Sequence, residues 1–252
     1  MNKIYVYWWA LGERGAVDNY GDILAPFLAE KLSGKQVVKV SHPMSRWYKW
    51  FIKHYVTVGS IICAASKNSI VWGSGIIKQN ENVRAAKFVA VRGPRTRKRL
   101  LELGYEVPEV YGDPALLLPK FISNTVTTVK VINLMTDDVV KTTLEILECK
   151  QIISSSLHGV IVSHAYEIPA LWVKFSTKLA GDNIKFYDYF ESLDIHYTHE
   201  LFSNPTESTI ADFEKMLTDN TSILLPSKDK LIQTQEVLFA SCPFKNNHFK
   251  SF

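Results

Sequence analysis

The sequence predicts an α/β protein with mainly parallel sheets. Short β-branched or aromatic runs alternate with segments of helical periodicity over most of the chain, the pattern that builds parallel sheets through helical crossovers. The composition is that of an ordinary globular protein: 252 residues, 46% hydrophobic, 21% charged, with 12 Gly and 10 Pro. That length suffices for a sizeable core without covalent staples. No stretch approaches the roughly 18 apolar residues of a spanning helix.

The first strand is expected at 3–9, where Ile4-Tyr5-Val6-Tyr7-Trp8-Trp9 reads as a buried strand and no small-residue cleavage site follows to make it a signal peptide. Further strands are expected at 36–40, 55–58, 69–72, 86–91, 129–132, 150–154 and 169–173. Between them, helical patterns fall at 22–33, 60–66, 93–103, 137–148 and 157–166. Pro94 suits the first position of the third of these helices. Asp137 opens the fourth, followed by an apolar face of Val139, Val140, Leu144, Ile146 and Leu147. The last 70 or so residues lack strong strands and carry helical patterns near 184–192, 206–218 and 227–240. Gly112-Asp113-Pro114 to Pro119, with the polar run Ser123–Thr128, forms the expected internal boundary. Two halves, 1–120 and 121–252, would then face each other across a cleft at the carboxyl ends of their strands, where such sheets bind ligands.

Charge and cysteine content exclude several classes. With 29 Lys and Arg against 25 Asp and Glu, the net charge is +4, compatible with an anionic ligand or membrane surface and too weak to imply nucleic acid. Cys63, Cys149 and Cys242 show no ligand spacing, so neither a disulfide framework nor a zinc site is expected, and nothing in the sequence calls for a metal or a cofactor. The expected location is cytoplasmic. The run Arg46–Tyr55 mixes aromatic and basic residues and reads either as a peripheral contact with the inner membrane face or as a half-buried helix with snorkelling lysines.

Four segments carry candidate chemistry. In Ser154-Ser155-Ser156-Leu157-His158-Gly159, an apolar strand runs into a helix with Ser156 as N-cap. His158 then lies in the first turn, where free N–H groups and the dipole favour an anion. The ring is expected neutral in an empty site and protonated beside a phosphate, which suits a general acid; a surface histidine beside a serine cap is the simpler reading. In Val91-Arg92-Gly93-Pro94-Arg95-Thr96-Arg97-Lys98-Arg99, five cations fall within eight residues. Arg97, Lys98 and Arg99 read as a solvated helix face, whereas Arg92 and Arg95 oppose the dipole of the helix they precede or open, which points to an anionic partner. In Asp18-Asn19-Tyr20-Gly21-Asp22, Asp22 is either a helix cap or a carboxylate at a cleft edge able to accept a proton. Trp72-Gly73-Ser74-Gly75 places two glycines at a strand end, where backbone can approach a ligand.

These segments occur, with Gly112-Asp113-Pro114 and Lys185-Phe186-Tyr187-Asp188-Tyr189-Phe190, in an order that resembles the polysaccharide pyruvyltransferases, over about residues 1 to 195. The resemblance implies a GT-B-like fold of two Rossmann-type halves, acceptor side first and donor side second. It implies phosphoenolpyruvate as donor and a sugar diol as acceptor, on a lipid-linked polysaccharide repeat of the bacterial capsular or exopolysaccharide kind. The product would be a cyclic pyruvate ketal, with loss of phosphate. On that resemblance His158 and Asp22 are the catalytic pair; Arg92, Arg95, Ser156, Leu157 and Gly159 bind the donor; Asp18, Asn19, Gly73 and Gly75 bind the acceptor. Ser156-Leu157-His158 matches a motif that is often Arg-Leu-His in relatives, so a cation must come from elsewhere, and Arg92 is the expected source. Only nine residues separate Pro119 from the strand at Val129, where relatives carry a longer segment, so the C-terminal half is expected to be shortened. A nucleotide-sugar glycosyltransferase and a non-catalytic glycan-binding scaffold are the competing readings.

Overall fold

The computed structural model describes residues 2–10, 18–42, 52–123, 134–176, 181–204, 207–246 and 248–249. The elements follow in the order β1 (Lys3–Tyr7), α1 (Tyr20–Ser33), β2 (Gln36–Lys39), β3 (His54–Val56), β4 (Ser69–Trp72), β5 (Lys87–Ala90), α2 (Pro94–Glu102), α3 (Val139–Leu147), β6 (Ile152–Ser154), α4 (Leu157–Ala165), β7 (Ala170–Trp172), α5 (Ile184–Ser192), α6 (Ile210–Asp219) and α7 (Lys228–Ala240). β1 to β5 form a five-stranded sheet in the order β2-β1-β3-β4-β5, and β6 and β7 a two-stranded one. Every pairing within them is parallel. The fold is therefore mixed α/β with a mainly parallel central sheet, as expected.

The strand order fixes where a ligand can sit. From β1 the chain passes through α1 to β2 on one side, then returns to place β3 on the other. The adjacent connections leave in opposite directions and open a crevice at the carboxyl ends of β1 and β3. α1 begins at that end. Asn19 caps it, its Oδ1 accepting from the Gly21 N–H at 2.9 Å. Pro26 lies inside the helix, which continues through it; lacking an N–H, it leaves the Asp22 carbonyl without its usual helical donor.

Several expectations shift. β1 stops at Tyr7, and Trp9 is 52% exposed as the chain leaves the sheet. The helix expected at 60–66 is a single 3-10 turn, Ile62–Ala64, with no side-chain cap. The cap of α3 is Asp138, whose Oδ1 accepts from the Lys141 N–H at 2.9 Å, not Asp137. The stretch read as a boundary is a 3-10 helix, Pro114–Lys120, with Leu116, Leu117 and Leu118 completely buried. The strand expected at 129–132, the run 124–128 and residues 43–51 of the basic aromatic run lie outside the described residues.

One apolar cluster joins β1, α1, the Pro114–Lys120 helix, α4, α5 and α7, from Ile4 and Leu24 through Leu117, Val160 and Phe186 to Leu238. A second joins β3, β4, β5 and α2 around Val56, Val71 and Leu100. The C-terminal helix α7 returns to the first sheet: the buried Trp72 indole Nε1–H donates to the Leu238 carbonyl at 3.0 Å and the Ser241 hydroxyl at 3.1 Å. The start of α1 is tied to the second part of the chain by backbone bonds, Tyr20 N–H to Leu134 O and Thr136 N–H to Asp18 O, both 2.7 Å. The Tyr20 and Thr143 hydroxyls add a buried hydrogen bond from α1 to α3. No helix among the described residues is long and apolar enough to cross a membrane.

A net hydrogen bond of this buried kind contributes about 1 kcal/mol. Trp72→Phe is expected to lower unfolding stability by roughly 1–2 kcal/mol, since it removes the indole donor and some buried volume. Urea denaturation measures the loss, and an unchanged midpoint would show that α7 is not held through this contact.

Candidate functional site

The N-termini of α1 and α4 converge. β6 ends in Ser154, α4 begins at Leu157, and His158 occupies its first turn. The imidazole packs with its Nδ1 side against the first turn of α1: a Cβ on Gly21 would stand 2.0 Å from His158 Nδ1. Glycine is required at 21 because the histidine fills the space a side chain would take. On its other edge His158 Nε2 sits 3.5 Å from Asp113 Oδ2, too long for a strong hydrogen bond. Both atoms are enclosed and neither has a hydrogen-bond partner. Asp113 Oδ1 is engaged, accepting from Ala115 N–H at 3.0 Å to cap the 3-10 helix.

His164, on the same helix, supplies a contrast. It too is buried, but its Nδ1 faces the Tyr189 hydroxyl and its Nε2 the Leu224 carbonyl, each at 3.0 Å. Burial lowers its pKa to about 4, partly offset by the backbone carbonyls, so it is a neutral core residue. A native core satisfies its buried polar groups. His158 Nε2 and Asp113 Oδ2 are held close and left unsatisfied, as are Thr57 Oγ1 and Trp172 Nε1 elsewhere among the described residues; the histidine–aspartate contact is the one that joins two ionisable groups.

Asp22 completes the group. Because Asn19 takes the cap of α1, Asp22 is left half-buried with its carboxylate free of that duty. Its pKa is pushed up to about 6, chiefly by burial and also by Asp18, while His158 and Lys185 pull it down. Lys185, in the first turn of α5, is half-buried with its Nζ 5.4 Å from the centre of the Phe186 ring. Burial and the charge of Arg92 lower its pKa, and Asp22 opposes them. Lys185 forms no ion pair among the described residues. Acid, histidine and lysine thus meet at the sheet's carboxyl edge, each partly withdrawn from water.

Other expected site residues have different duties. Arg92 is completely buried: Nε donates to Asp188 Oδ2 at 3.2 Å, Nη1 to Ser60 Oγ and Nη2 to the Ile76 carbonyl, both at 2.6 Å. With every guanidinium nitrogen engaged, it presents no free edge to a donor. Asp188 also accepts from the Thr96 N–H and hydroxyl; burial pushes its carboxyl up, and Arg92 and Thr96 hold it down. Arg95 binds Glu191 through Nε at 2.9 Å and Nη2 at 2.6 Å, and its guanidinium lies 4.8 Å from the centre of the Tyr187 ring. Gly73 and Gly75 admit protein rather than ligand. At Gly73, with φ +86°, a Cβ would lie 2.3 Å from Pro114 Cδ; at Gly75 it would lie 2.5 Å from Arg92 Cζ. Leu157 is a core residue, and Gly159 admits Ser154, whose Oγ would be 2.4 Å from an added Cβ. Ser156 is the N-cap residue of α4 but makes no capping bond; Ser154 Oγ instead accepts from the Ser156 N–H at 3.0 Å. The N-terminus of α4 thus lacks a side-chain cap, and the Ser156 side chain is half-buried. Asn19 is spent on the α1 cap, and Asp18 pairs through its backbone with Thr136. Arg97 and Arg99, expected to be solvated, donate to the Val107 and Glu81 carbonyls.

Asp113 and Lys185 are the site residues that the sequence reading left without roles. Asp113 sits in a Gly-Asp-Pro turn signal, and Lys185 opens an aromatic helix. Only the meeting of distant segments reveals them. Among the described residues, no group of three or more His, Cys, Asp or Glu is placed to hold a metal ion.

The α/β fold thus gathers a histidine, a carboxylate and a lysine at the carboxyl edge of the central sheet, where parallel sheets of this kind place their ligands. The model of one family, polysaccharide pyruvyl transferase, matches residues 19–144, half of the chain, and the protein belongs to that family. It is also 31% identical over 258 aligned positions to an uncharacterized protein of Acanthamoeba polyphaga mimivirus, covering 87% of this chain and 88% of that one. No solved structure matches it.

Removing one partner of a buried ion pair costs about 3–5 kcal/mol, while replacing both with apolar groups costs far less. Arg92→Met is expected to destabilise by that amount, and Arg92→Met with Asp188→Leu to recover most of it in chemical denaturation. A mild single variant would show that the pair does not hold α5 in place.

Proposed function

We propose that the protein transfers a pyruvyl group from phosphoenolpyruvate to two hydroxyls of a sugar, forming a cyclic ketal and releasing phosphate. The observation that carries this reading, beside the family, is the unsatisfied His158–Asp113 contact beside Asp22 and Lys185. On this reading the two sheets belong to the two halves of a GT-B-like arrangement, 1–120 on the acceptor side and a shortened 121–252 on the donor side. The acceptor is a diol of a polysaccharide repeat unit carried on a lipid.

The donor has a carboxylate and a phosphate, so its site needs fixed cations and N–H donors. The uncapped N-terminus of α4, with Ser156, supplies the donors. Lys185 supplies the cation that arginine would provide at position 156, since Arg92 is engaged elsewhere. His158 delivers a proton to the donor's methylene carbon and an oxocarbenium-like centre forms at the adjacent carbon; Asp113, against Nε2, stabilises the charged ring. One sugar hydroxyl attacks that centre and Asp22 takes its proton. The carbon–oxygen bond to phosphate then breaks, the second hydroxyl closes the ring, and its proton leaves with phosphate. The proton spent on carbon and the one gained by phosphate equal the two lost from the diol.

Incubation with phosphoenolpyruvate and a panel of diol glycosides, following phosphate release and the mass of the acceptor, tests the reading. No product and no donor binding would overturn it. His158→Gln is expected to cut turnover by roughly 10²–10⁴. Lys185→Met should raise the donor KM about tenfold with a smaller effect on kcat, as loss of a charge-assisted contact does. Because Asp22 must be ionised to accept a proton, kcat/KM should fall as pH drops through about 6, and Asp22→Asn should remove that limb together with most activity.

Asp22 also has a stability signature. Its pKa is raised in the folded state, so the native protein binds the proton more tightly and its stability falls as pH rises from about 4 to about 6. Asp22→Asn should therefore stabilise the fold at pH 7 by roughly 1–2 kcal/mol and give no gain at pH 4. Melting curves at the two pH values measure this; equal effects at both would show that Asp22 is not held against its ionisation.

A further inference from the structure

The opposite, amino-terminal edge of the central sheet carries a cleft of about 330 Å3 lined by Lys3, Lys35, Lys53 and Lys245. These lysines come from separate segments. Lys3 opens β1, Lys35 immediately precedes β2, Lys53 immediately precedes β3, and Lys245 follows α7. Since β2, β1 and β3 are consecutive neighbours in the sheet, the backbones of the first three lysines lie across a span of about 10 Å at the usual strand spacing, and all three side chains line the cleft. The pairings Lys3 with Gln36 and Val6 with Tyr55 put them within one residue of a common level.

Among the described residues, no carboxylate lines the cleft. Lys3, Lys35 and Lys53 are exposed, and none forms an ion pair among the described residues. Lys245 donates to the backbone carbonyls of Phe239 at 3.4 Å and Ala240 at 3.3 Å and lies 4.9 Å from the centre of the Phe239 ring, with no ion pair among the described residues. The floor is apolar, with Phe244 buried and packed edge-on against Tyr55 at 4.6 Å between ring centres. Like charges gathered over an apolar floor repel one another, and an anion seated among them gains more than it would on an open surface.

We propose that this cleft is a second anion site, separate from the transfer site, and that its ligand carries two or more phosphate groups. Four cations at one cleft match the charge of an oligophosphate better than that of a single phosphate dianion, which favours the former. The concave shape favours a small ligand over the flat surface of a bilayer, which would leave the cleft empty. A free oligophosphate and a phosphorylated lipid headgroup standing out of the membrane plane share the required chemistry. The site does not depend on the transfer reaction, because its residues lie at the other edge of the sheet from His158, Asp22 and Lys185.

Isothermal titration of the full chain with inorganic tripolyphosphate at low ionic strength, and co-sedimentation with vesicles containing a phosphoinositide, test the site in two arms. The same measurements are made on Lys3→Gln/Lys35→Gln/Lys53→Gln, on Lys215→Gln as a distant lysine, and on Lys185→Met to remove binding at the transfer site. The three lysines are exposed, so the triple variant should keep its melting temperature. Binding in either arm that weakens about tenfold or more in the triple variant, persists in Lys215→Gln and Lys185→Met, and fades with added salt establishes the site. The arm that responds names the source of the phosphate. Binding that survives in the triple variant, that is lost only in Lys185→Met, or that is absent from both arms in the unaltered protein overturns it. Failure of phosphoenolpyruvate turnover leaves this result untouched.

Discussion

Arg92 and Asp188 form the ion pair on which the arrangement of the site depends. Both side chains have no exposure to solvent, and both would be costly to bury alone. The pair is tolerated because the remaining polar atoms are also engaged: Ser60 and the Ile76 carbonyl on the guanidinium, Thr96 on the carboxylate. The pair and its partners come from the loops after β3, β4 and β5, from α2 and from α5. The pair therefore brings the carboxyl edge of the central sheet against the helix that carries Lys185. The surrounding glycines are part of the same device. Gly75 makes room for the guanidinium and Gly93 for the Asp188 backbone, whose oxygen would lie 1.7 Å from an added Cβ.

Once α5 is fixed in this way, a second set of contacts is left incomplete. Aromatic packing holds α5 to the small sheet, with Trp172 stacked on Phe186 at 4.2 Å, and His164 bridges α4 to Tyr189. The rest of α4 is thus well anchored, while its first turn ends on an unfinished histidine–aspartate contact. Rigid support beneath a site whose polar groups lack partners is what group transfer requires, because charge that develops during reaction meets groups already in place. The raised pKa of Asp22 belongs to the same economy: burial that makes the carboxylate a better base also makes it a burden on the fold.

Much of the fold was legible because it is written in local patterns. The strands at 36–40, 69–72 and 86–91 and the helices at 93–103, 157–166, 184–192 and 227–240 were marked by periodicity and by caps or prolines close in sequence. Local signals failed where a tertiary contact decided the outcome. The Asp113–Pro119 stretch has the composition of a turn, yet burial of Leu116 to Leu118 makes it a core element. Within the site, His158 and Asp22 could be singled out because each stands at a strand-to-helix junction. Arg92 looked equally exposed to an anion, but its counter-charge lies 96 residues away, and no window of sequence contains both. The same distance hid Lys185, whose place beside Asp22 follows from where Asp188 is held.

The backbone bonds that join Tyr20 to Leu134 and Asp18 to Thr136 bear on how such a site can move. They fasten the two parts of the chain together one turn from Asp22. Any displacement of one part against the other that preserves these bonds must pivot close to Asp22. On the reading proposed above, such a motion would admit a glycan while Asp22 and His158 keep their separation, as the pivot of a pair of pliers stays fixed while its tips travel.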